Sequence, residues 1–268
     1  MDLVEQDVPT VLGRIRIRVG GDGPVVVFWP SLLMDGTMWA AQAEHFAATH
    51  RVVLVDPPGH GGSEPLTRLF EFSECARVVV QVLDHVGAET ADFVGNSWGG
   101  MIGATFAAQF PDRVRTAVLM NCTVSPASLR QKVEFGFLTR AARLAGGIRG
   151  PLVKPVVDAF VGPTTRGYRP DVVEEIEAAV GRVDIASARW AVTSVVPRRP
   201  DQRRLAGEIR AKVLVVAGIE DATFPVAKTR VMADAIPGAT FVVLDDTAHL
   251  AGLENPAEVN ALVEDFIR

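Results

Sequence analysis

Ala91-Asp92-Phe93-Val94-Gly95-Asn96-Ser97-Trp98-Gly99-Gly100-Met101 is the stretch on which the fold turns. An apolar run leads into Gly95-Asn96-Ser97-Trp98-Gly99, and Met101 to Gln109 continues as a helix. This is G-x-S-x-G between a strand and a helix. Such a turn is sharp and holds the serine strained at the C-terminal end of the strand. The flanking glycines let strand and helix approach without side-chain clashes. The helix N-terminus then offers backbone N–H groups to a developing negative charge. The bare pattern occurs by chance; the flanking strand and helix give it weight. The competing reading is a serine that merely caps the helix.

Working outward, Val25–Trp29, Arg51–Asp56, Val114–Met120, Lys212–Ala217 and Thr240–Leu244 are further apolar runs. Apolar character on both faces suits parallel strands buried between helices. Gly13–Gly21 alternates Ile15, Ile17 and Val19 with Arg14, Arg16 and Arg18, a half-exposed strand. Helical patterns fall near 37–48, 73–86, 98–109, 226–235 and 256–267. Strands alternating with helices predict an α/β fold, a mostly parallel sheet flanked by helices. Residues 124–205 break that rhythm: they read as helices with turn signals at Gly146-Gly147, Gly162-Pro163 and Pro197, and hold no convincing strand. The expected organisation is a core of 1–123 and 206–268 with a helical insertion of 124–205.

The 268 residues are 48% hydrophobic and 22% charged, an ordinary globular composition. A net charge of −5 argues against nucleic acid or an anionic membrane as partner. The insertion differs: 14 Lys+Arg against 8 Asp+Glu give it +6, while the remainder carries −11. Either this is an Arg-rich solvated face or it attracts anionic ligands. Cys75 and Cys122 are too few for a disulfide framework or a zinc site. The start, Met1-Asp2-Leu3-Val4-Glu5, is acidic and precedes no apolar segment of signal-peptide type. No run of 18 apolar residues predicts a membrane span. The expectation is a soluble, cytoplasmic protein.

A serine hydroxyl needs a base. Of five histidines, His60 and His249 lie in loops at the ligand-binding edge of such a sheet. His85 ends a helix, where it complements the dipole. The order Ser…Asp/Glu…His that accompanies this elbow favours His249 over His60. The orienting acid should follow a strand between them. Asp221 after Val213–Ala217 is preferred, with Glu220 the neighbour to exclude. The loop after Met120 reads Asn121-Cys122-Thr123 and offers no carboxylate.

With these residues in hand the chain resembles the α/β-hydrolase superfamily, in the group that carries a helical cap. The resemblance covers nearly the whole chain. It rests on Asp56…Gly59-His60-Gly61…Ser63, Gly95-Asn96-Ser97-Trp98-Gly99-Gly100, Gly218…Asp221…Pro225 and Ala248-His249…Glu254-Asn255-Pro256. It implies a Ser97–His249–Asp221 triad, no metal and no cofactor. The loop Pro30-Ser31-Leu32-Leu33 with Trp39 looks like the 3-oxoadipate enol-lactonase branch. By position it implies the Leu32 and Trp98 N–H groups as oxyanion donors. That branch usually has Met after the serine and lacks Asn before it.

Gly95-Asn96-Ser97 instead looks like the meta-cleavage C–C bond hydrolases, which use that Asn and a cap arginine on a carboxylate. Arg182 is the conceivable equivalent. Those enzymes also carry a Gly-rich oxyanion loop and a Trp after the histidine, where this chain has Leu250, so they stand second. Dehalogenases and epoxide hydrolases of the fold use an aspartate nucleophile, which Ser97 excludes. Haloperoxidase or perhydrolase chemistry shares the triad, and a receptor-like binder would need no intact triad. The expected function is hydrolysis of a small ester or lactone, with a small-molecule substrate that the basic insertion would favour when it bears a carboxylate. Ser31, Trp39, Asn96, Arg182 and Trp190 are the candidate pocket residues, though an aromatic such as Trp190 is more often core.

Overall fold

The central strands are covered on both faces, and their sequences are accordingly apolar at almost every position. The structure, a computed structural model, describes residues 3–268. Eight strands form one sheet: β1 Val4–Thr10, β2 Gly13–Gly20, β3 Val25–Trp29, β4 Arg51–Val55, β5 Ala91–Asn96, β6 Val114–Met120, β7 Lys212–Gly218 and β8 Thr240–Leu244. Their order is β1-β2-β4-β3-β5-β6-β7-β8. β1 and β2 pair antiparallel, as do β2 and β4; every other pairing is parallel. This is the α/β class expected from the alternation of strands and helices.

The helices are α1 Ala40–Phe46, α2 Phe72–His85, α3 Trp98–Gln109, α4 Leu129–Leu144, α5 Val153–Asp158, α6 Pro163–Tyr168, α7 Pro170–Gly181, α8 Ile185–Val195, α9 Arg203–Ala206, α10 Val226–Ala235, α11 Ala251–Glu254 and α12 Pro256–Ile267. In β3, Val25, Val27 and Trp29 face the layer of α2, α3 and α10, with Val79, Ile102 and Met232. Val26 and Phe28 face α1 and α12, with Phe46 and Val263. Each such side chain, fully buried, contributes about 1.5–3 kcal/mol.

β1 was not legible as a strand. It is an edge strand whose Glu5 and Asp7 stand opposite Arg18 and Arg16 and pair with them. Charge and Pro9 suit an exposed edge, and only Val8 is buried. The helix expected near 37–48 is divided. A 3-10 turn, Gly36–Trp39, is capped by Asp35, which accepts from the Thr37 N–H at 2.9 Å, and α1 follows.

Between β6 and β7 lie α4 to α9 and no strand. Gly146 (φ 67°) follows α4, Gly162 caps α6 ahead of Pro163, and Pro197 follows α8. Side-chain hydrogen bonds tie α6 and α8 of this insertion down. On α8, the Ser187 and Ser194 hydroxyls accept from Leu66 N (2.8 Å) and Phe70 N (3.1 Å). At the start of α6, Thr164 donates to Glu220 and Thr165 to Glu254, both at 2.5 Å. The side-chain bonds of α4 stay within the helix and its N-cap, and Leu129, Val133, Phe137 and Leu144 on it are exposed. Among the described residues no helix is long and apolar enough to cross a membrane.

Candidate active site

Ser97 sits where β5 gives way to α3, at φ 54° and ψ −110°. For a residue with a Cβ this positive φ costs about 1–3 kcal/mol. The surroundings hold it there. The Ser97 N–H donates to the Met120 carbonyl at 2.8 Å. A Cβ on Gly95 would strike the backbone of Gly99, and one on Gly99 the Trp29 carbonyl. Ser97 is therefore more than a helix cap: its side chain makes no capping bond and lies on the wall of a cavity of about 480 Å³.

His249, in the loop after β8, lines the same cavity. Its Nδ1 is 2.9 Å from Asp221 Oδ2, and its ring stacks on Phe160 (5.7 Å, 14°) and tilts against Phe224. The other Asp221 oxygen accepts from Thr223 N (2.8 Å) and Phe224 N (2.9 Å). That double acceptor fixes the carboxylate. With Nδ1 engaged, Nε2 is the nitrogen left for proton transfer. Glu220 points elsewhere, accepting from the Thr164 N–H and hydroxyl.

The position after β6, which carries no acid, holds Asn121 (φ 49°). Its amide donates to the Ala248 and His249 carbonyls at 2.9 and 3.0 Å and accepts from Gly218 N at 2.7 Å. It ties the end of β7 to the histidine loop. Glu254 supports the same loop by accepting from Ala248 N and Leu250 N. Burial pushes the Glu254 carboxyl up, while these bonds and Thr165 pull it down.

The loop after β3 is shaped by Asp56 and His60. Asp56 accepts from Gly36 N (2.9 Å), Gly62 N (2.7 Å) and Arg18. His60 Nε2 accepts the Leu33 N–H at 3.2 Å, and its Nδ1 lies 3.0 Å from the Pro58 carbonyl. Burial lowers its pKa, which favours the neutral form this pattern requires. His60 is thus committed to the backbone and is not the base. Leu33 is bent to φ 68°, and Ser31 and Leu32 line the cavity beside Ser97. Trp98, as the first residue of α3, has an N–H with no helical acceptor.

A family profile described as alpha/beta hydrolase fold matches residues 24–256. The chain belongs to the alpha/beta hydrolase family. It is 26% identical over 245 residues to 3-oxoadipate enol-lactonase 2 of Acinetobacter baylyi, covering 91% of this chain and 88% of that one. It is 29% identical over 257 residues to the 2-hydroxy-6-oxononadienedioate/2-hydroxy-6-oxononatrienedioate hydrolase of Paraburkholderia phymatum, covering 94% and 86%. Among solved structures it is similar to a thermophilic esterase from Thermogutta terrifontis with malate bound, at TM-score 0.90 and 25% identity over 100% of this chain and 98% of that one.

In this α/β-hydrolase the pocket residues expected from sequence divide sharply. Ser31 is on the cavity wall, its hydroxyl buried without a partner. Trp39 is fully buried in the core instead, 5.4 Å from Phe28. Asn96 is also fully buried, and its amide holds the His249 carbonyl at 2.7 Å. Arg182 is an exposed residue at the end of α7, off the cavity wall. Trp190 lines a different hollow, between α4 and α8, under the Arg189 guanidinium at 3.8 Å.

Among the wall residues that the sequence did not single out is a charged one, Arg199. It is only 6% exposed, and burial pushes its pKa down to about 10. Its only visible signal was the bracket Pro197-Arg198-Arg199-Pro200 after α8.

In the α/β-hydrolase, His60→Leu leaves the Leu33 N–H without its acceptor. An orphaned, partly buried donor costs about 1 kcal/mol, or about 3 °C in Tm for a chain of this size. His60→Gln, which keeps an acceptor, should lose less. Calorimetry of the two variants checks both figures, and equal losses would contradict this role.

Proposed function

We propose that this α/β-hydrolase cleaves a small carboxylic ester or lactone through an acyl-enzyme. The observation that carries the reading is His249, paired with Asp221, on the same cavity wall as the strained Ser97. Ser97 Oγ attacks the acyl carbon while His249 Nε2 takes its proton. Asp221 keeps the His249 proton on Nδ1 and stabilises the imidazolium. The Leu32 and Trp98 N–H groups receive the oxyanion; losing one such donor typically costs about 2.7–4 kcal/mol of transition-state stabilisation. His249 passes its proton to the leaving oxygen, then activates the water that releases the acid and frees Ser97. The protein's own groups carry every proton and charge.

Substrate size follows from the cavity. About 480 Å³ lies in the range of small-ligand sites. Leu138, Ile148, Val156, Phe160 and Val192 make its wall largely apolar. In this reading residues 124–205 act as a cap over Ser97. The enol-lactonase and esterase relatives favour oxygen-ester chemistry. Carbon–carbon cleavage has the Paraburkholderia hydrolase on its side. However, Asn96 and Arg182, on which that reading leaned, do not line the cavity.

The test uses p-nitrophenyl acetate and butyrate, with a fluorophosphonate probe whose adduct is located by peptide mass spectrometry. Turnover with the label on Ser97 is expected. Inactivity without labelling would remove the serine-hydrolase reading. Decolourisation of a yellow ring-fission product in place of ester turnover would favour the carbon–carbon reading.

A further inference from the structure

We infer that Arg199 binds a free carboxylate on the substrate, so that the preferred substrates are esters or lactones bearing a second, ionised acid group. The inference rests on the hydrolase reading and names its substrate class.

Arg199 shares the cavity wall with Ser97 and His249. Its Nε donates to the Ser125 carbonyl at 2.8 Å, and among the described residues neither Nη group has an acceptor. Desolvation is the one influence that moves its pKa; no carboxylate offsets it. The guanidinium lies 5.5 Å from the Phe224 ring, and the same ring packs against His249 at 5.7 Å. The arginine and the base therefore neighbour the same aromatic side chain.

A buried charge without a counter-ion is destabilising, and an apolar residue of similar size would be cheaper. A ligand anion reverses that balance. A planar carboxylate matches the two free Nη groups, which can hold it bidentately. Two other arginines of the insertion behave differently. Arg166 and Arg203 are solvent-exposed and pair with Asp158 and Asp201. The one acid on the cavity wall, Glu134, is exposed on α4, where water and salt screen it. A tie to Ser125 alone would need neither the charge nor the free fork.

The experiment compares kcat/KM for mono-p-nitrophenyl glutarate and adipate with the neutral p-nitrophenyl esters of the same chain length. Wild type is expected to prefer the charged ester. In Arg199→Gln the charged-to-neutral ratio should fall about 30-fold, the factor typical of a lost charge-assisted hydrogen bond. Arg199→Lys should keep part of the preference. A binding arm uses the Ser97→Ala protein: glutarate or adipate should raise its Tm, and the Ser97→Ala/Arg199→Gln protein should show no rise.

A wild-type ratio at or below one overturns the inference, as does a ratio unchanged in folded Arg199→Gln. So does a Tm rise with inorganic phosphate equal to that with adipate. If Arg199→Gln does not fold, glutarate against glutaramide on Ser97→Ala decides, and equal shifts count against Arg199. Absence of turnover on both esters with no fluorophosphonate label would sink the hydrolase reading alone. The dicarboxylate arm would still judge Arg199.

Discussion

Ser97→Gly is expected to abolish ester turnover and, at the same time, to raise the melting temperature. Loss of the nucleophile should lower kcat by roughly 10⁶. The stability gain comes from the backbone. Ser97 is held at φ 54° and ψ −110°, where a Cβ costs about 1–3 kcal/mol. Glycine removes that strain but has more unfolded-state freedom to lose, about 0.5–1 kcal/mol. The net is about +1 kcal/mol, or about 2–3 °C for a chain of this size. Ser97→Ala removes the same hydroxyl but keeps the Cβ, so it should lose activity without that gain. Calorimetry and p-nitrophenyl butyrate kinetics on the pair separate the two effects. A Tm for Ser97→Gly no higher than that of Ser97→Ala would mean the turn stores no strain.

Asp221→Asn should lower kcat by about 10³–10⁴ with little change in Tm. The reason lies in the groups around the carboxylate. Thr223 N and Phe224 N both donate to Oδ1, so an amide there must turn its oxygen to them. Its NH₂ then faces His249 Nδ1, which has to become an acceptor. The ring proton moves to Nε2, and that nitrogen can no longer take the proton of Ser97. Kinetics together with the imidazole resonances by NMR report activity and tautomer separately. A fall under tenfold would move the acid's role elsewhere. Glu220 could not take it over without giving up Thr164.

The parts of the molecule that declared themselves in sequence are those where one physical demand dominates. β3 to β7 must be apolar on both faces, so their runs are unmistakable. The elbow must have small residues on either side of Ser97, and the glycines are there. β1 escaped because an edge strand needs charge more than apolarity, and Glu5 and Asp7 disguise it. Asp221 and Glu220 could be ranked from sequence, but it is Thr164, distant in the chain, that engages Glu220.

The pocket was the least legible part. Trp39 reads the same whether it faces a ligand or packs on Phe28. Asn96 neighbours the nucleophile in sequence, yet its side chain turns back to the His249 carbonyl. Arg199 is one of 23 arginines, and only tertiary packing sets it apart by burying it. His60 was competing for the role of base. It is removed by two hydrogen bonds that no spacing rule encodes.

The way α4 is held bears on how molecules come and go. Lifting α6 or α8 would break side-chain bonds to Glu220 and Glu254 or to the Leu66–Phe70 segment. The polar side-chain bonds of α4 close on themselves, so displacing it sacrifices apolar contact and little else. Gln131, Phe135 and Leu138 on α4 line the cavity. Swinging α4 aside is therefore the opening of the Ser97 cavity that costs the fewest hydrogen bonds, and it leaves the His249–Asp221 pair untouched.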